Sequence, residues 1–320
     1  MLYPTPPDAL QAKINVGNFR AIGQRFMAHF VNAGLLPNDR VLEIGCGCGR
    51  TAIPLAEGYL GPKGSYQGFD IIPAVIDWCV ENITDPRFQF RCVDVQNGDY
   101  RPDGIADAAA FAFPYESESF DFVYAVSVFT HMLPDGHARY LRETLRVLRP
   151  GGRAFFSYFI LPEPNPWTHR CGIAFISLSE VPERGVGYTP DMLLKEIGFS
   201  GLIVEAVHRG NWAGYPGHFD YQDAVVARRG WDENDGKGDS GMSTRLYCDV
   251  PWWSAFVEIT GEVRPCCDYG LVLGHLGQQG AKAIWDERFA TLRQLQQLGT
   301  APAGCGQCCA ARIGRVGTEG

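Results

Sequence analysis

Residues 41–50, VLEIGCGCGR, decide the fold of this chain. A short apolar run that contains Val41 and Ile44 predicts a buried strand, and it leads into a loop with glycine at alternate positions. Glycine allows such a loop to take positive φ angles and to approach a ligand closely. The helix that follows would present free backbone N–H groups, which suit the carboxylate of a bound amino acid. The stretch therefore predicts a strand–loop–helix unit that binds a small ligand through Gly45, Gly47 and Gly49.

A carboxylate ends the next predicted strand, SYQGFD. Asp70 follows Gly49 by 21 residues, a position from which an acidic side chain accepts hydrogen bonds from both hydroxyls of a ribose. The dinucleotide pattern Gly-x-Gly-x-x-Gly is not met, because Arg50 occupies its last position. The two features together predict an adenosine site that departs from the dinucleotide fingerprint.

Strands and helices alternate around this unit. Seven strands are predicted, near 41–45, 65–70, 88–93, 120–126, 153–159, 201–207 and 222–228. Residues 136–149 have a helical apolar face, and so does the segment before residue 40. Such alternation is typical of a mostly parallel sheet with crossover helices, so an α/β fold is predicted. The proline-rich residues 161–190 interrupt the pattern and predict an inserted lid or acceptor wall.

The bulk composition limits the classes of function. Hydrophobic residues make up 46% of the 320 residues and charged residues 20%, which is ordinary for a globular protein. A formal charge of −8 argues against a nucleic-acid surface. No apolar stretch approaches the ~20 residues that span a bilayer, and the first residues lack the features of a signal peptide. We therefore expect a cytoplasmic protein with no nucleic-acid partner and no membrane partner.

The cysteines indicate a second domain. Of the 11 cysteines, six crowd into the last 73 residues: Cys248, Cys266, Cys267, Cys305, Cys308 and Cys309. In a reducing cytosol this favours a metal site over disulfides, and a metal would stabilise so small a core. The polar stretch 231–243 is typical of a linker. The sequence thus predicts an α/β domain at 1–230 and a small cysteine-rich α+β domain at 244–320.

Residues 10–230 resemble the class I S-adenosylmethionine-dependent methyltransferases. Beyond the glycine loop and Asp70, the resemblance rests on VDV at 93–95, FPYESESFDFVYAVSVFTHM at 113–132 and LRVLRPGGRAFF at 145–156. It implies a Rossmann-like seven-stranded sheet and S-adenosyl-L-methionine as cofactor. The cofactor contacts that it implies are Glu43, Gly45, Gly47, Gly49, Asp70, Ile71, Asp94, Val95 and Ser127, with Asp94 at the adenine amino group.

The segment INVGNF at 14–19 is similar to an N-terminal segment that closes over the cofactor in members that act on small molecules. This similarity implies Asn15 and Gly17 as further cofactor contacts. An ordinary helix N-cap at Asn18 is the alternative.

Two histidines are candidates for chemistry at the methyl acceptor. The sulfonium makes its methyl group electrophilic, so a hydroxyl acceptor needs alignment and a base for its proton. His131, after the fourth predicted strand, is the first candidate and His208 the second, with a structural role open for each. The His131 loop and the insertion resemble O-methyltransferases of sugars or secondary metabolites. We expect O-methylation of such a small-molecule acceptor.

Residues 244–320 resemble the SPASM or Twitch domain of radical S-adenosylmethionine enzymes. The matching features are Pro251-Trp252 after Cys248, LGHL at 273–276, IWDERFATLR at 284–293 and the pair Cys305-x-x-Cys308. The resemblance implies an auxiliary 4Fe-4S cluster on Cys248, Cys266, Cys305 and Cys308, with Cys267 and Cys309 as one-residue alternatives. A four-cysteine Zn site is the competing interpretation.

A second function remains open. The Cys-x3-Cys-x2-Cys triad of radical enzymes is absent, so the chain cannot be a radical enzyme by itself. It could instead be an accessory binding protein whose cysteine-rich domain docks a peptide substrate or a radical-enzyme partner. The intact glycine loop and Asp70 favour the methyltransferase.

Overall fold

The computed structural model divides the chain into two compact units, residues 1–231 and 232–320. The described residues are 2–14, 17–162, 175–177, 181–214, 219–230, 256–257, 262–264 and 274–275. In the second unit these are three short strands, Phe256–Val257, Glu262–Arg264 and Gly274–His275, which form an antiparallel sheet.

A seven-stranded sheet forms the centre of the first unit, as the sequence predicted. In chain order the strands are β1 Arg40–Ile44, β2 Ser65–Asp70, β3 Phe88–Cys92, β4 Phe120–Ala125, β5 Leu148–Tyr158, β6 Phe175–Ser177, β7 Val186–Tyr188, β8 Leu202–His208, β9 Asp223–Arg229, β10 Phe256–Val257, β11 Glu262–Arg264 and β12 Gly274–His275. The order in the large sheet is β3-β2-β1-β4-β5-β9-β8, while β6 and β7 pair separately. Strand β9 is antiparallel to both of its neighbours, and the other pairs are parallel.

Helices cover both faces of this sheet. They are α1 Asp8–Gln11, α2 Phe19–Asn32, α3 Ala52–Pro54, α4 Pro73–Asn82, α5 Pro134–Val147 and α6 Pro190–Phe199. Helix α2 begins at Asn18, whose side chain accepts a hydrogen bond from the Ala21 amide at 3.0 Å. The N-cap interpretation of Asn18 is thereby confirmed. None of the helices in the described part of the chain is long and apolar enough to cross a membrane.

Alternating aromatic residues of the central strands fill the core on each side of the sheet. Phe155 of β5 packs against Phe30 of α2, with ring centroids 5.1 Å apart. Its neighbour Phe156 points to the other face and packs against Phe129 at 5.1 Å. Because successive side chains of a strand face opposite ways, both layers are anchored on the same strands. The carboxyl ends of these strands are thereby held in fixed relative positions.

The end of α5 differs slightly from its predicted position. The helix ends at Val147 rather than at 149, and the buried Leu148 pairs with Phe120 of β4. Residues 149–152 then bulge out, with Gly151 at a φ of +72°, and regular pairing resumes at Arg153. Regular parallel pairing of β5 with β4 therefore begins at residue 153, where the sequence predicted the start of the strand.

Candidate active site

A cavity of about 640 Å³ opens at the carboxyl ends of β1, β2, β4 and β5. The strand order reverses between β1 and β4, and the crevice at such a point is where open α/β sheets bind ligands. The volume suits a small molecule. Of the predicted cofactor contacts, those that line the cavity are Glu43, Gly45, Gly47, Asp70, Ile71, Val95 and Ser127.

The three glycines of the loop take the conformation for which glycine is needed. Their φ angles are +70°, +51° and +72° for Gly45, Gly47 and Gly49. A Cβ on Gly45 would lie 2.4 Å from Val128, and one on Gly49 would lie 2.6 Å from Ile83, at the end of α4. Gly49 does not line the cavity. It serves the site by letting the loop pack against α4.

Asp70 is held at the end of β2 by two backbone amides. Its Oδ2 accepts a hydrogen bond from Gly47 N at 2.8 Å, and its Oδ1 accepts one from Ile72 N at 2.9 Å. Burial raises the pKa of this carboxyl, while these amides act in the opposite direction. Since each carboxylate oxygen has two lone pairs, both can still accept a hydrogen bond from a ligand hydroxyl.

Asp94 lies away from the cavity. Its side chain is exposed, and its Oδ1 accepts a hydrogen bond from Arg101 Nη2 at 3.0 Å. Residues 95–106 form a loop that closes where Val95 pairs with Ala106, and this brings Asp107 into the cavity lining. We did not single out Asp107 from the sequence, although an acid followed by Ala108 before the fourth strand was the signal available. The adenine contact of Asp94 stays a prediction.

His131 lies in the cavity wall, on a 3₁₀ turn after β4. Its Nδ1 lies 2.9 Å from the backbone carbonyl oxygen of Glu183, so Nδ1 carries the proton of the neutral ring. Nε2 is then the acceptor, and the Tyr100 hydroxyl lies 3.4 Å from it. Burial lowers the pKa of His131, which keeps the imidazole neutral at pH 7. The residue therefore offers a lone pair in the cavity, as a general base must.

The end of the predicted insertion contributes to this wall. Glu183 and Arg184 line the cavity, and Arg184 forms an ion pair with Asp99 at 2.8 Å. Gly98 N also donates a hydrogen bond to Glu183 Oε1 at 3.3 Å. Residues 163–174 and 178–180 lie outside the described part of the chain. The described end of the insertion thus forms part of the cavity wall, and its role toward the acceptor stays a prediction.

Two further candidates from the sequence, Gly17 and His208, are not in the cavity wall. His208 stacks on Phe219, with ring centroids 4.7 Å apart, and does not line the cavity. Gly17 is exposed and lies outside the lining, while Asn15 lies outside the described residues. The structure therefore places His131, but not His208, beside the predicted cofactor loop.

Arg50 is a cavity residue that we did not assign from the sequence. It follows Gly49 directly, lines the cavity and is partly buried, and burial lowers the pKa of its guanidinium. No hydrogen bond or ion pair joins this guanidinium to the residues that the structure describes. Arg25, in the same wall, differs because Asp220 pairs with it at 2.7 Å. Arg50 thus presents a positive charge to the cavity that a ligand carboxylate could neutralise.

Glu43 lies beneath the glycine loop with both carboxylate oxygens engaged. Thr51 Oγ1 donates to Oε1 at 2.6 Å, while the hydroxyls of Tyr66 and Tyr124 donate to Oε2 at 2.5 and 2.9 Å. The residue is 3% exposed, and burial raises its pKa from 4.5 to about 7. Glu43 therefore holds β1 against β2, β4 and the start of α3 from below the cavity.

We expect Glu43→Gln to remove a pH dependence of stability. A carboxyl whose folded pKa is raised stabilises the fold most below its unfolded pKa, and this contribution is lost as the pH rises to about 7. The difference corresponds to about 3 kcal/mol between pH 4.5 and pH 7.5. Urea unfolding of both proteins at the two pH values measures it, since other groups cancel in the comparison. A wild-type minus variant difference that does not change with pH would contradict the prediction.

The predicted metal ligands Cys248, Cys266, Cys305 and Cys308 lie outside the described residues. Within the described ranges, no group of three or more His, Cys, Asp or Glu side chains is placed to hold a metal ion. The described cysteines Cys46, Cys48 and Cys79 are buried thiols, and burial raises the pKa of each.

Family models match two separate parts of the chain. Residues 41–152 match a methyltransferase domain, and residues 248–309 match the SPASM iron–sulfur cluster-binding domain. The first match covers β1 to the start of β5, including the glycine loop, Asp70 and His131. The second covers the cysteine-rich segment.

Curated relatives match part of the chain. The chain is 34% identical over 122 residues to a phthiotriol/phenolphthiotriol dimycocerosates methyltransferase of Mycobacterium leprae, covering 38% of either protein. It is 32% identical over 139 residues to the 27-O-demethylrifamycin SV methyltransferase of Amycolatopsis mediterranei, covering 41% of this chain and 44% of that protein. The chain is 27% identical over 188 residues to an O-methyltransferase of Aspergillus nomiae, and this match covers 56% of this chain and 69% of that protein. The chain thus spans less than half the length of the first two relatives.

Both resemblances that were stated from the sequence are confirmed by these matches. The family models thus show a methyltransferase domain at residues 41–152 and a SPASM iron–sulfur cluster-binding domain at residues 248–309.

Proposed function

We propose that this chain transfers a methyl group from S-adenosyl-L-methionine to a hydroxyl group of a small molecule, such as a sugar or a secondary metabolite. One observation carries the proposal: the glycine loop, Asp70 and His131 share a single cavity. A nucleoside-binding acid and a base with an unprotonated ring nitrogen are the two groups that such a transfer requires.

The cavity has groups suited to each part of the cofactor. Asp70 has lone pairs for the ribose hydroxyls. Asp107 accepts a hydrogen bond from Ala109 N through Oδ1 at 2.9 Å, so its other carboxylate oxygen is left to accept a hydrogen bond from the cofactor. At the other end, the Arg50 guanidinium suits the carboxylate of the methionine group. When bound, the cofactor supplies an electrophilic methyl group on a sulfonium.

His131 handles the proton of the acceptor. Its Nε2 becomes protonated as the acceptor oxygen attacks and the acceptor loses its proton, and the Glu183 carbonyl then stabilises the imidazolium through Nδ1–H. The names of two relatives support an oxygen acceptor, since one specifies a 27-O-demethyl substrate and the other an O-methyltransferase. The dimycocerosates relative is consistent with a small-molecule acceptor.

The direct test is calorimetry with S-adenosylhomocysteine, followed by transfer of labelled methyl groups to a panel of sugars, phenols and other hydroxylated metabolites. Binding with transfer to a hydroxyl supports the proposal. Binding without turnover on any acceptor would favour the accessory protein instead. In that role the SPASM domain would dock a peptide or a radical-enzyme partner.

We expect Arg50→Gln to weaken the binding of S-adenosylhomocysteine by about 10- to 100-fold, because it removes a charge-assisted pair worth about 1.5–3 kcal/mol. Methylthioadenosine lacks the amino-acid group, so its affinity should be the same for variant and wild type. Calorimetry with both ligands measures the difference.

Arg25→Gln is the matched control, because the Arg25 charge is already paired with Asp220. It should change the affinity for S-adenosylhomocysteine by less than the Arg50 variant does. Equal losses with both ligands in the Arg50 variant would show that Arg50 supports the loop and does not contact the carboxylate.

A further inference from the structure

We propose that Tyr100 is a second catalytic residue, whose hydroxyl accepts the proton of the acceptor and passes its own proton to His131. The inference rests on the proposed function, since it requires a hydroxylated acceptor in the cavity. It adds a residue that neither the sequence patterns nor the relatives indicated.

The geometry joins Tyr100 directly to His131. Both side chains line the cavity, and their rings meet edge to face with centroids 5.0 Å apart at 90°. The Tyr100 hydroxyl lies 3.4 Å from His131 Nε2. Because Nδ1 donates its proton in a hydrogen bond to the Glu183 carbonyl, Nε2 of the neutral ring is an acceptor and the hydroxyl must be the donor in this contact. The separation is long, as catalytic hydrogen bonds often are before the substrate binds.

The hydroxyl still has capacity for the acceptor. A phenol has one proton and two lone pairs, and the described residues provide His131 as its one hydrogen-bond partner. The oxygen can therefore accept the O–H of an acceptor while it donates to Nε2. Burial raises the pKa of Tyr100 and lowers that of His131, so the pair is a neutral phenol and a neutral imidazole at pH 7.

The step balances without a further reactant. The acceptor oxygen forms a bond to the methyl carbon, the carbon–sulfur bond breaks, and the sulfur keeps that electron pair. The acceptor's O–H bond breaks and its proton goes to the Tyr100 oxygen, while the original Tyr100 proton goes to His131 Nε2. Tyrosine ends neutral, and histidine ends as the imidazolium.

Asn97 is the positioning residue for this pair. Its Oδ1 accepts hydrogen bonds from the backbone amides of Asp99 and Tyr100 at 3.1 and 3.0 Å. Its Nδ2 donates to the backbone carbonyl of His131 at 2.9 Å. One side chain thus fixes the backbone that carries the phenol and the backbone that carries the imidazole. The charge of Asp99 beside them is paired with Arg184.

The test is nitrogen NMR of the full chain with ¹⁵N-labelled histidine, in the presence of S-adenosylhomocysteine. In the wild type, His131 should be the Nδ1–H tautomer. In Tyr100→Phe, which keeps the ring, the Nε2 resonance should move and the pKa of His131 should rise by about 0.5 to 1, because the neutral imidazole loses a donor. An Nε2–H tautomer in the wild type, or unchanged His131 resonances in the variant, would overturn the proposal.

Turnover measurements provide a second test of the relay. On the hydroxylated acceptors that the wild type methylates, Tyr100→Phe should lower kcat by about 10- to 100-fold with little change in KM. Asn97→Ala should lower kcat and also alter the His131 resonances, whereas Tyr115→Phe, which lies outside the cavity wall, should do neither. A normal kcat in Tyr100→Phe would refute the relay and leave the methyltransferase proposal intact. Failure of the wild type to bind S-adenosylhomocysteine would refute the proposed function, and the relay with it.

Discussion

Replacement of His131 by alanine should lower the rate of methyl transfer by about 10²- to 10⁴-fold, the range that a positioned general base contributes. The affinity for S-adenosylhomocysteine should stay within about twofold, because no group proposed to bind the cofactor is removed. Single-turnover kinetics and calorimetry on the same preparations separate the two effects. The loss should appear in kcat, since the proton moves only as the acceptor reacts.

His208→Ala is the matched control, because His208 stacks on Phe219 outside the cavity wall. It should retain most of the wild-type rate. The wild-type rate should also fall on acidification, with a midpoint below the ordinary histidine pKa of 6.5, because burial lowers the pKa of His131. Near-normal turnover of His131→Ala at neutral pH would assign the proton to His208 or to water.

The cysteine-rich unit should lose its metal completely when one of the four favoured ligands is replaced. Anaerobically purified wild type should be brown and contain about four iron atoms and four sulfides per chain, as a 4Fe-4S cluster requires. Cys248→Ser should be colourless and nearly free of iron. Because metal binding and folding of so small a domain are coupled, residues 244–320 should unfold with the loss. The first unit has its own core and should still bind S-adenosylhomocysteine.

Three other cysteines serve as controls for that experiment. Cys92→Ser changes an exposed thiol of the first unit and should keep the full iron content. Cys267→Ser and Cys309→Ser decide between adjacent candidates, since retention of the cluster in both leaves Cys266 and Cys308 as the ligands. One zinc per chain in colourless wild type would replace the cluster with a zinc site. Metal-free protein with an ordered domain would contradict both.

The strands of the first unit were predictable because their local signals agree with the tertiary structure. The segments VLEIG, SYQGFD and FDFVYA are short and contain β-branched or aromatic residues, and each lies within about one residue of an observed strand. Glycine at three alternate positions predicted the positive φ angles of the loop. Local chemistry determines these features, so one sequence is enough to find them.

The cavity wall was less predictable, because it depends on contacts between distant segments. Tyr100 and Glu183 meet His131 across 31 and 52 positions of the chain, and nothing in the local sequence marks those pairings. Arg50 was visible in the motif, but only the surrounding structure shows a guanidinium without a described hydrogen-bond partner. Asp94 was the expected acid because it follows the third strand directly, whereas the loop that returns at Ala106 brings Asp107 to the wall.

The loop at residues 95–106 makes the acceptor side of the site separable from the cofactor side. Its ends meet at the Val95–Ala106 pair, so a change in its length alters the closure entropy slowly and does not displace Asp107 behind it. Tyr100 lies within the loop, whereas Asp70 and the glycine loop lie outside it. Exchange of the residues at 96–105 other than Asn97 and Tyr100 is therefore a route to new acceptor selectivity with donor binding preserved. A directed-evolution library confined to these eight positions would sample acceptor chemistry on a constant cofactor site.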